Sequence, residues 1–338
     1  APRREADELI DFMLGDLRQR LEPLGQVRVL RSVAEQASGY LDRREGQLDG
    51  AADAARRATV LRNLSAVFFE EGDSTQAAKT ARESLAISQQ LAKEAPTPVA
   101  QRAVALSHTT LGVVQFAQGD LAGALESYKA ALLIYDALAA AALDDNNAQR
   151  DVSVINDRIG DVLSGLGQVD AALLAYRASL QISERLYAAD PTHTTFRRDV
   201  IVATNKVALS LQAQGVLDGA RALREQALTL VEAAAKDTNT AQAQRDLAVS
   251  RTALGDVLLL SQERALALES FQVALEINKR LAAADPMSAN AQRDVAVLHN
   301  KVGDAKLYAG DAAGALSDYR VSIEITARLA KSDPANVR

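Results

Sequence analysis

The chain contains no cysteine, no tryptophan and only three histidines among its 338 residues. Without cysteine there are no disulfides and no thiolate metal ligands. Without tryptophan, and with aromatics at 4%, there is little from which to build a platform that stacks bases or sugars. His108, His193 and His299 fall in no catalytic or ligand spacing, so they read as packing or surface residues, and no metal and no cofactor is expected. Phosphate loops, dinucleotide fingerprints, metalloprotease helices and calcium loops are also missing, and the expectation is a protein that is not an enzyme. No basic tract occurs, and a net charge of -6 with a pI near 5.3 leaves nucleic acid without a basic face to bind. Apolar runs such as "ALAAAALD" from Ala137 fall far short of the roughly 18 residues of a membrane span, so no membrane insertion by this segment is expected. The start, "APRREADELI", has neither an initiator Met nor the apolar core of a signal peptide. It reads as an internal starting point in a longer protein, with the cytoplasm the favoured compartment.

What the chain has in abundance is repetition. "NAQRDVSVINDRIGDVLSGLGQVDAALLAYR" from Asn147 returns as "NAQRDVAVLHNKVGDAKLYAGDAAGALSDYR" from Asn290, and a common frame recurs six times at a spacing of 47 or 48 residues. One position is always small: Ser65, Gly112, Gly160, Ala208, Gly255 and Gly303. Seven residues later come Gly72, Gly119, Gly167, Gly215, Gln262 and Gly310, and five beyond those Ala77, Ala124, Ala172, Ala220, Ala267 and Ala315. Four residues further on stand Tyr128, Tyr176, Phe271 and Tyr319, with Ala81 and Arg224 as exceptions.

Apolar residues recur at three- and four-residue spacing on both sides of the central Gly, so each unit reads as helix, tight turn, helix. In the third unit Val154, Ile155, Ile159, Val162 and Leu163 belong to the first helix, and Leu173, Leu174, Leu180 and Leu186 to the second. Asp-Pro at Asp190, Asp285 and Asp333 stops second helices, because a residue before Pro is pushed out of the helical region. Asn147, Thr195 and Asn290 then stand where N-caps are wanted, ahead of Asp151, Asp199 and Asp294 in the first turn. Glycines inside a helix forfeit about 1 kcal/mol relative to Ala, and close packing against Ala172 and its equivalents is the expected compensation.

The pairs Leu111-Gly112, Ile159-Gly160, Leu254-Gly255 and Val302-Gly303, each followed by the spaced Ala and aromatic, resemble the tetratricopeptide repeat. Two departures are plain: the usual Trp is absent, and the period is some 14 residues longer than the standard 34, a difference that longer helices absorb, as in the kinesin light chain. The resemblance covers about residues 51 to 338, and it implies an all-α fold, a right-handed superhelical solenoid of antiparallel helix pairs. The expected hairpins are residues 51–97, 98–145, 146–193, 194–240, 241–288 and 289–338. Residues 1–50 lie outside the frame and read as an N-terminal cap of amphipathic helices. That stretch also looks similar to segments preceding such repeats in large bacterial signalling or defence proteins with a Toll/interleukin-receptor, kinase or caspase-like effector domain.

At 100° per residue, positions 7 and 11 residues apart on a helix share one stripe. On the first helix of the third unit these are Arg150, Asp157 and Asp161; on the later units Asn205, Asp256, Arg293, Asn300 and Asp304 are equivalents, with Tyr308 further along. In the family resembled, this stripe lines the concave groove where peptides or helices lie, which implies a protein or peptide ligand. The alternative is a solvated face on which Arg and Asp of neighbouring repeats pair with each other, worth ~0–1 kcal/mol per pair. The functional expectation is a non-catalytic interaction scaffold. Its competitor is a sensor or regulatory repeat region of a larger effector enzyme whose chemistry lies elsewhere. Val321, Ile325 and Leu329 on the last helix sit at offsets that earlier units bury, so either further chain or self-association through the C-terminal repeat is expected to cover them.

Overall fold

The structure is a computed structural model that describes residues 51–332 together with Gln36. The expected cap at residues 1–50 and the stop at Asp333 therefore lie outside the described residues. Every described element is an α-helix, and the helices follow one another as antiparallel pairs. They are α1 (Ala51–Glu70), α2 (Ser74–Glu94), α3 (Pro98–Ala117), α4 (Leu121–Ala141), α5 (Asn146–Gly165), α6 (Val169–Ala189), α7 (Thr194–Ala213), α8 (Leu217–Thr238), α9 (Ala241–Leu260), α10 (Arg264–Ala284), α11 (Ala289–Tyr308) and α12 (Ala312–Ser332). The chain forms two compact units, residues 1–182 and 183–338. In the first, α1 packs on α2, α2 on α3, α3 on α4 and α4 on α5; in the second the same succession runs from α7 to α12.

Turn chemistry fixes the hairpins. Gly72, Gly119, Gly167, Gly215 and Gly310 all have φ between +73° and +91°, the left-handed region that ends a helix without a Cβ penalty. At Gly119 the flanking bonds, Gly119 N–H to the Phe116 carbonyl and Asp120 N–H to the Gln115 carbonyl, close the helix end. Gln262 takes the same conformation at φ 63° in the one unit lacking the Gly. Asp120 then accepts from the Gly123 N–H at 3.0 Å and starts the next helix, as Asp73 does through Gln76.

First helices begin slightly earlier than the sequence suggests. The N-caps are Asp145, His193 and Ser288 rather than Asn147, Thr195 and Asn290. Asp145 Oδ1 accepts from the N–H groups of Asn147 and Ala148, so a residue expected at the cap is already inside the helix. A carboxylate two residues upstream satisfies two orphan donors at once, which Asn147 in the cap position could not improve on.

The mid-helix glycines face rings, not alanines. A Cβ added to Gly112, Gly255 or Gly303 would lie 2.5, 2.5 and 2.6 Å from the ring of Tyr128, Phe271 and Tyr319 respectively. Tyr128 and Phe271 are 2% and 0% exposed, so the rings are the core of their hairpins and the missing Cβ makes the room. At the exceptions, Ser65 donates to the Ala77 carbonyl at 2.8 Å, and Ala208 belongs to the hairpin that carries Arg224.

On α12, Ile325 is buried and Val321 and Leu329 are half-buried, whereas Ile323 is 66% exposed. Its equivalents in the second unit, Leu228 and Leu275, are 7% and 5% exposed. The face left open is thus one residue pair away from the one the sequence suggests: Ile323 and Leu316 carry it.

Candidate binding face

Four groups of the expected stripe hold the second helix of a hairpin in place or tie one repeat to the next. In the first unit, Tyr176 of α6 donates its hydroxyl to Asp161 Oδ1 of α5 at 2.8 Å. In the second, Tyr319 of α12 makes the same bond to Asp304 of α11 at 2.7 Å. Burial, then the Asp161 carboxylate, drives the Tyr176 phenol far above its ordinary pKa, and Asp157 adds to the effect. Tyr319 is raised to about 12, chiefly by its bond to Asp304. Phe271 has no hydroxyl to offer, and there Asp256 instead accepts from Lys301 of the following hairpin at 2.6 Å, with the Lys301 ammonium 5.6 Å from the Phe271 ring centroid. In the fourth hairpin Arg224 replaces the aromatic, and its Nη1 donates to Asn205 Oδ1 at 2.6 Å.

The other expected residues divide between the two units. Arg150 and Asp157 on α5 are half-buried. Arg293, Asn300 and Tyr308 on α11 are exposed, Tyr308 at 60%, and Arg293 donates to Asn290 at 3.3 Å. Pairing between neighbouring repeats does occur at one row position: Arg102 grips Asp151 through two bonds of 2.7 and 3.2 Å, and that bond leads the causes that raise the guanidinium's pKa.

An aliphatic row lies four residues after Arg102, Arg150, Arg198, Arg245 and Arg293: Leu106, Val154, Val202, Val249 and Val297, of which the apolar periodicity marks Val154 as a core position. Leu106 and Val154 are half-buried, while Val202, Val249 and Val297 are 38%, 64% and 46% exposed. The signal was available, because the row keeps the same 47- or 48-residue spacing. Helical spacing alone could not separate it from the core, since an aliphatic residue at three or four positions from its neighbours reads as buried. His299 was likewise read as plain packing. It is 7% exposed, and its Nδ1 lies 2.8 Å from Asp318 Oδ1, whose other oxygen accepts from Lys306 at 2.7 Å.

Among the described residues no cluster of three or more His, Cys, Asp or Glu has metal-ligand geometry, and no described helix is long and apolar enough to cross a membrane. Three solved structures are similar in fold. Apo RapI superimposes with a TM-score of 0.64 at 12% identity, covering 95% of this chain and 77% of its own. A Signal Transduction ATPase with Numerous Domains (STAND) protein from Pyrococcus horikoshii that carries a tetratricopeptide repeat sensor gives 0.63 at 11% identity, over 90% of this chain and 40% of that one. BtubC (BKLC) from P. vanneervenii gives 0.60 at 18% identity, over 78% of this chain and 95% of its own. The fold is that of the tetratricopeptide repeat. No protein-family model matches the sequence, and no curated protein matches it.

Within this tetratricopeptide-type frame, the fourth hairpin is the weak point. Arg224 is 9% exposed with its Nε unbonded, and burial lowers its pKa against the pull of Asp256. Restoring the pattern with Ala208→Gly and Arg224→Phe together exchanges a buried charge for a ring seated over a glycine. The double variant is expected to be about 1–3 kcal/mol more stable in urea unfolding, as replacement of buried charges by well-packed apolar groups often is. A loss of stability would show that the Arg224–Asn205 bond outweighs its desolvation.

Proposed function

We propose that the chain is a non-catalytic interaction module that binds a peptide or protein segment along the exposed face of its first helices. The observation that carries this reading is the aliphatic row of the second unit, Val202, Val249 and Val297, exposed four residues after Arg198, Arg245 and Arg293. Exposed aliphatic residues repeated at one register, between charged and amide groups, supply apolar anchors with polar groups beside them for a ligand backbone. Arg150, Asp157, Asn300, Arg293 and Tyr308 are the polar and aromatic contacts of this reading. Asp161, Asn205, Asp256 and Asp304 are the remaining polar contacts of this reading. Self-association through the last hairpin belongs to the same reading, with Leu316 and Ile323 as its contacts.

The test is a peptide-display selection against the wild-type chain, followed by binding measurements on a triple variant, Val202→Asp, Val249→Asp and Val297→Asp. Binding is expected to fall at least about tenfold, since each buried aliphatic side chain contributes roughly 1.5–3 kcal/mol when fully covered. The melting curve should change little, because substitutions at exposed sites usually shift stability by no more than about 0.5 kcal/mol each. Selected peptides that bind the triple variant as tightly as the wild type would sink the assignment.

A second reading, the sensor or regulatory repeat region of a larger effector enzyme, is favoured by the likeness to the STAND protein's repeat-bearing chain, of which this chain spans 40%. Sequencing the reading frame on both sides of this segment for a catalytic domain decides between the two.

A further inference from the structure

One place on the face is built differently from the rest. In the second unit a cleft of about 370 Å³ opens between α7 and α9, with α8 as its floor. That volume lies within the roughly 300–1,000 Å³ of ligand-binding clefts. Its apolar wall is formed by Ile201, Val202, Val231 and Val249, two of which belong to the exposed aliphatic row. Thr194, Asn205 and Thr238 line it as well.

At the depth, Ser250 is 4% exposed and its hydroxyl has no hydrogen-bond partner. The cause is local. Its counterpart in the second hairpin, Ser107, bonds Ser84 and Ser88 at 3.1 Å each, and the positions equivalent to those two serines are Ala227 and Val231 here. Loss of both partners strands a buried hydroxyl beside the cleft, an arrangement that costs about 1–3 kcal/mol unless something else bonds it. At one lip, Arg197 is neutralised by Asp237 at 2.7 Å, whereas Arg198 has no carboxylate partner among the described residues. The opposite lip carries Asp246, which already accepts from Gln242 at 2.8 Å.

We infer that this cleft is a specificity pocket that takes one branched aliphatic side chain from an extended peptide, with an acidic residue next to it in the peptide meeting Arg198. The inference rests on the groove reading above and adds to it the class of ligand. The apolar wall selects the aliphatic group. The single unneutralised guanidinium sets the sign of the neighbouring charge, and Asp246 rejects a second acid on the far side. An acidic flank on one side only is therefore the recognised pattern.

The probes are two blocked peptides, acetyl-Ala-Glu-Leu-Ala-Ala-amide and its reverse-order partner acetyl-Ala-Leu-Glu-Ala-Ala-amide, titrated into the full chain with methyl-labelled valine and leucine. The methyl signals of Val202, Val231 and Val249 should move in a saturable way with at least one of the two. Replacing the peptide's Leu by Ser should weaken binding about tenfold or more. Replacing its Glu by Lys should weaken it about two- to fivefold, and Arg198→Glu should reverse that preference. Ser250→Leu, which fills the depth, should abolish the shifts. Should that variant fail to fold, Val249→Asp at an exposed position is the substitute and should do the same. Shifts confined to Leu106, Val154 or Val297 would overturn the pocket and leave the groove reading standing. The pocket is equally overturned by Leu and Ser peptides that bind alike, or by the absence of any shift.

Discussion

Gly255→Leu is expected to unfold the fifth hairpin before the rest of the second unit, with a loss of about 3 kcal/mol or more in local stability. A Cβ at this position would stand 2.5 Å from Cε1 of Phe271, a ring that is 0% exposed and cannot swing aside into solvent. Inserting even single methylenes into a packed core forces strain of typically 1–3 kcal/mol, and Leu adds three carbons beyond the Cβ. Gly255→Ala separates the two contributions. Helix propensity alone would make it about 1 kcal/mol more stable, whereas the ring contact makes it less so. The net expectation is a destabilised Ala variant, because the atom it meets belongs to a rigid ring and not to the end of a flexible chain. Repeat arrays are held by contacts between neighbours, so the Leu variant should show an early transition ahead of the main one in a thermal melt. A melt of Gly255→Leu that overlays the wild type would falsify the ring-over-glycine packing.

That packing also marks the limit of what periodicity conveys. The recurrence of Gly, Ala and an aromatic at fixed offsets is visible in the residues alone, and so is the helix–turn–helix reading, because the turn glycines stand where φ is positive. Which small residue faces which large one is not visible. An offset states that two positions share a face of one helix, but the glycine and its ring lie on two helices whose rotation about their axes is set by the packing itself. The same reason hid the bonds from Tyr176 to Asp161 and from Tyr319 to Asp304, each between residues 15 apart across a turn. Those aspartates were legible as one stripe and illegible as anchors of the second helix. The aliphatic row at Val202, Val249 and Val297 failed for the opposite reason. Its spacing is perfect, yet spacing is common to core and surface, and only the exposure in the folded chain tells the two apart.

Asp318→Ala is expected to be the other strongly destabilising change. The carboxylate is 8% exposed and is shared between His299 Nδ1 at 2.8 Å and Lys306 Nζ at 2.7 Å, which links α11 to α12 at two points along their length. Hydrogen bonds to charged groups contribute about 1.5–3 kcal/mol each, and truncating the carboxylate leaves His299, itself 7% exposed, without its acceptor. Lys306, with a side chain 25% exposed, can turn to water and recover part of its share. A loss of about 2–3 kcal/mol in the last hairpin is the balance. The effect carries a pH signature. Burial pushes the Asp318 carboxyl upward, but the bonds from Lys306 and His299 outweigh it and hold its pKa below the ordinary value. A folded-state pKa depressed in this way supplies stability that is fully present above the unfolded value, about 3.9 for Asp, and is lost as pH falls through the folded value beneath it. The stability difference between wild type and Asp318→Ala should therefore shrink below about pH 4 relative to its value at about pH 5. Taking the difference removes the other carboxylates that titrate over the same range. A difference that stays constant to pH 2, or that grows, would mean that the carboxylate is held by packing alone and that Lys306 and His299 contribute nothing to the pairing of α11 with α12.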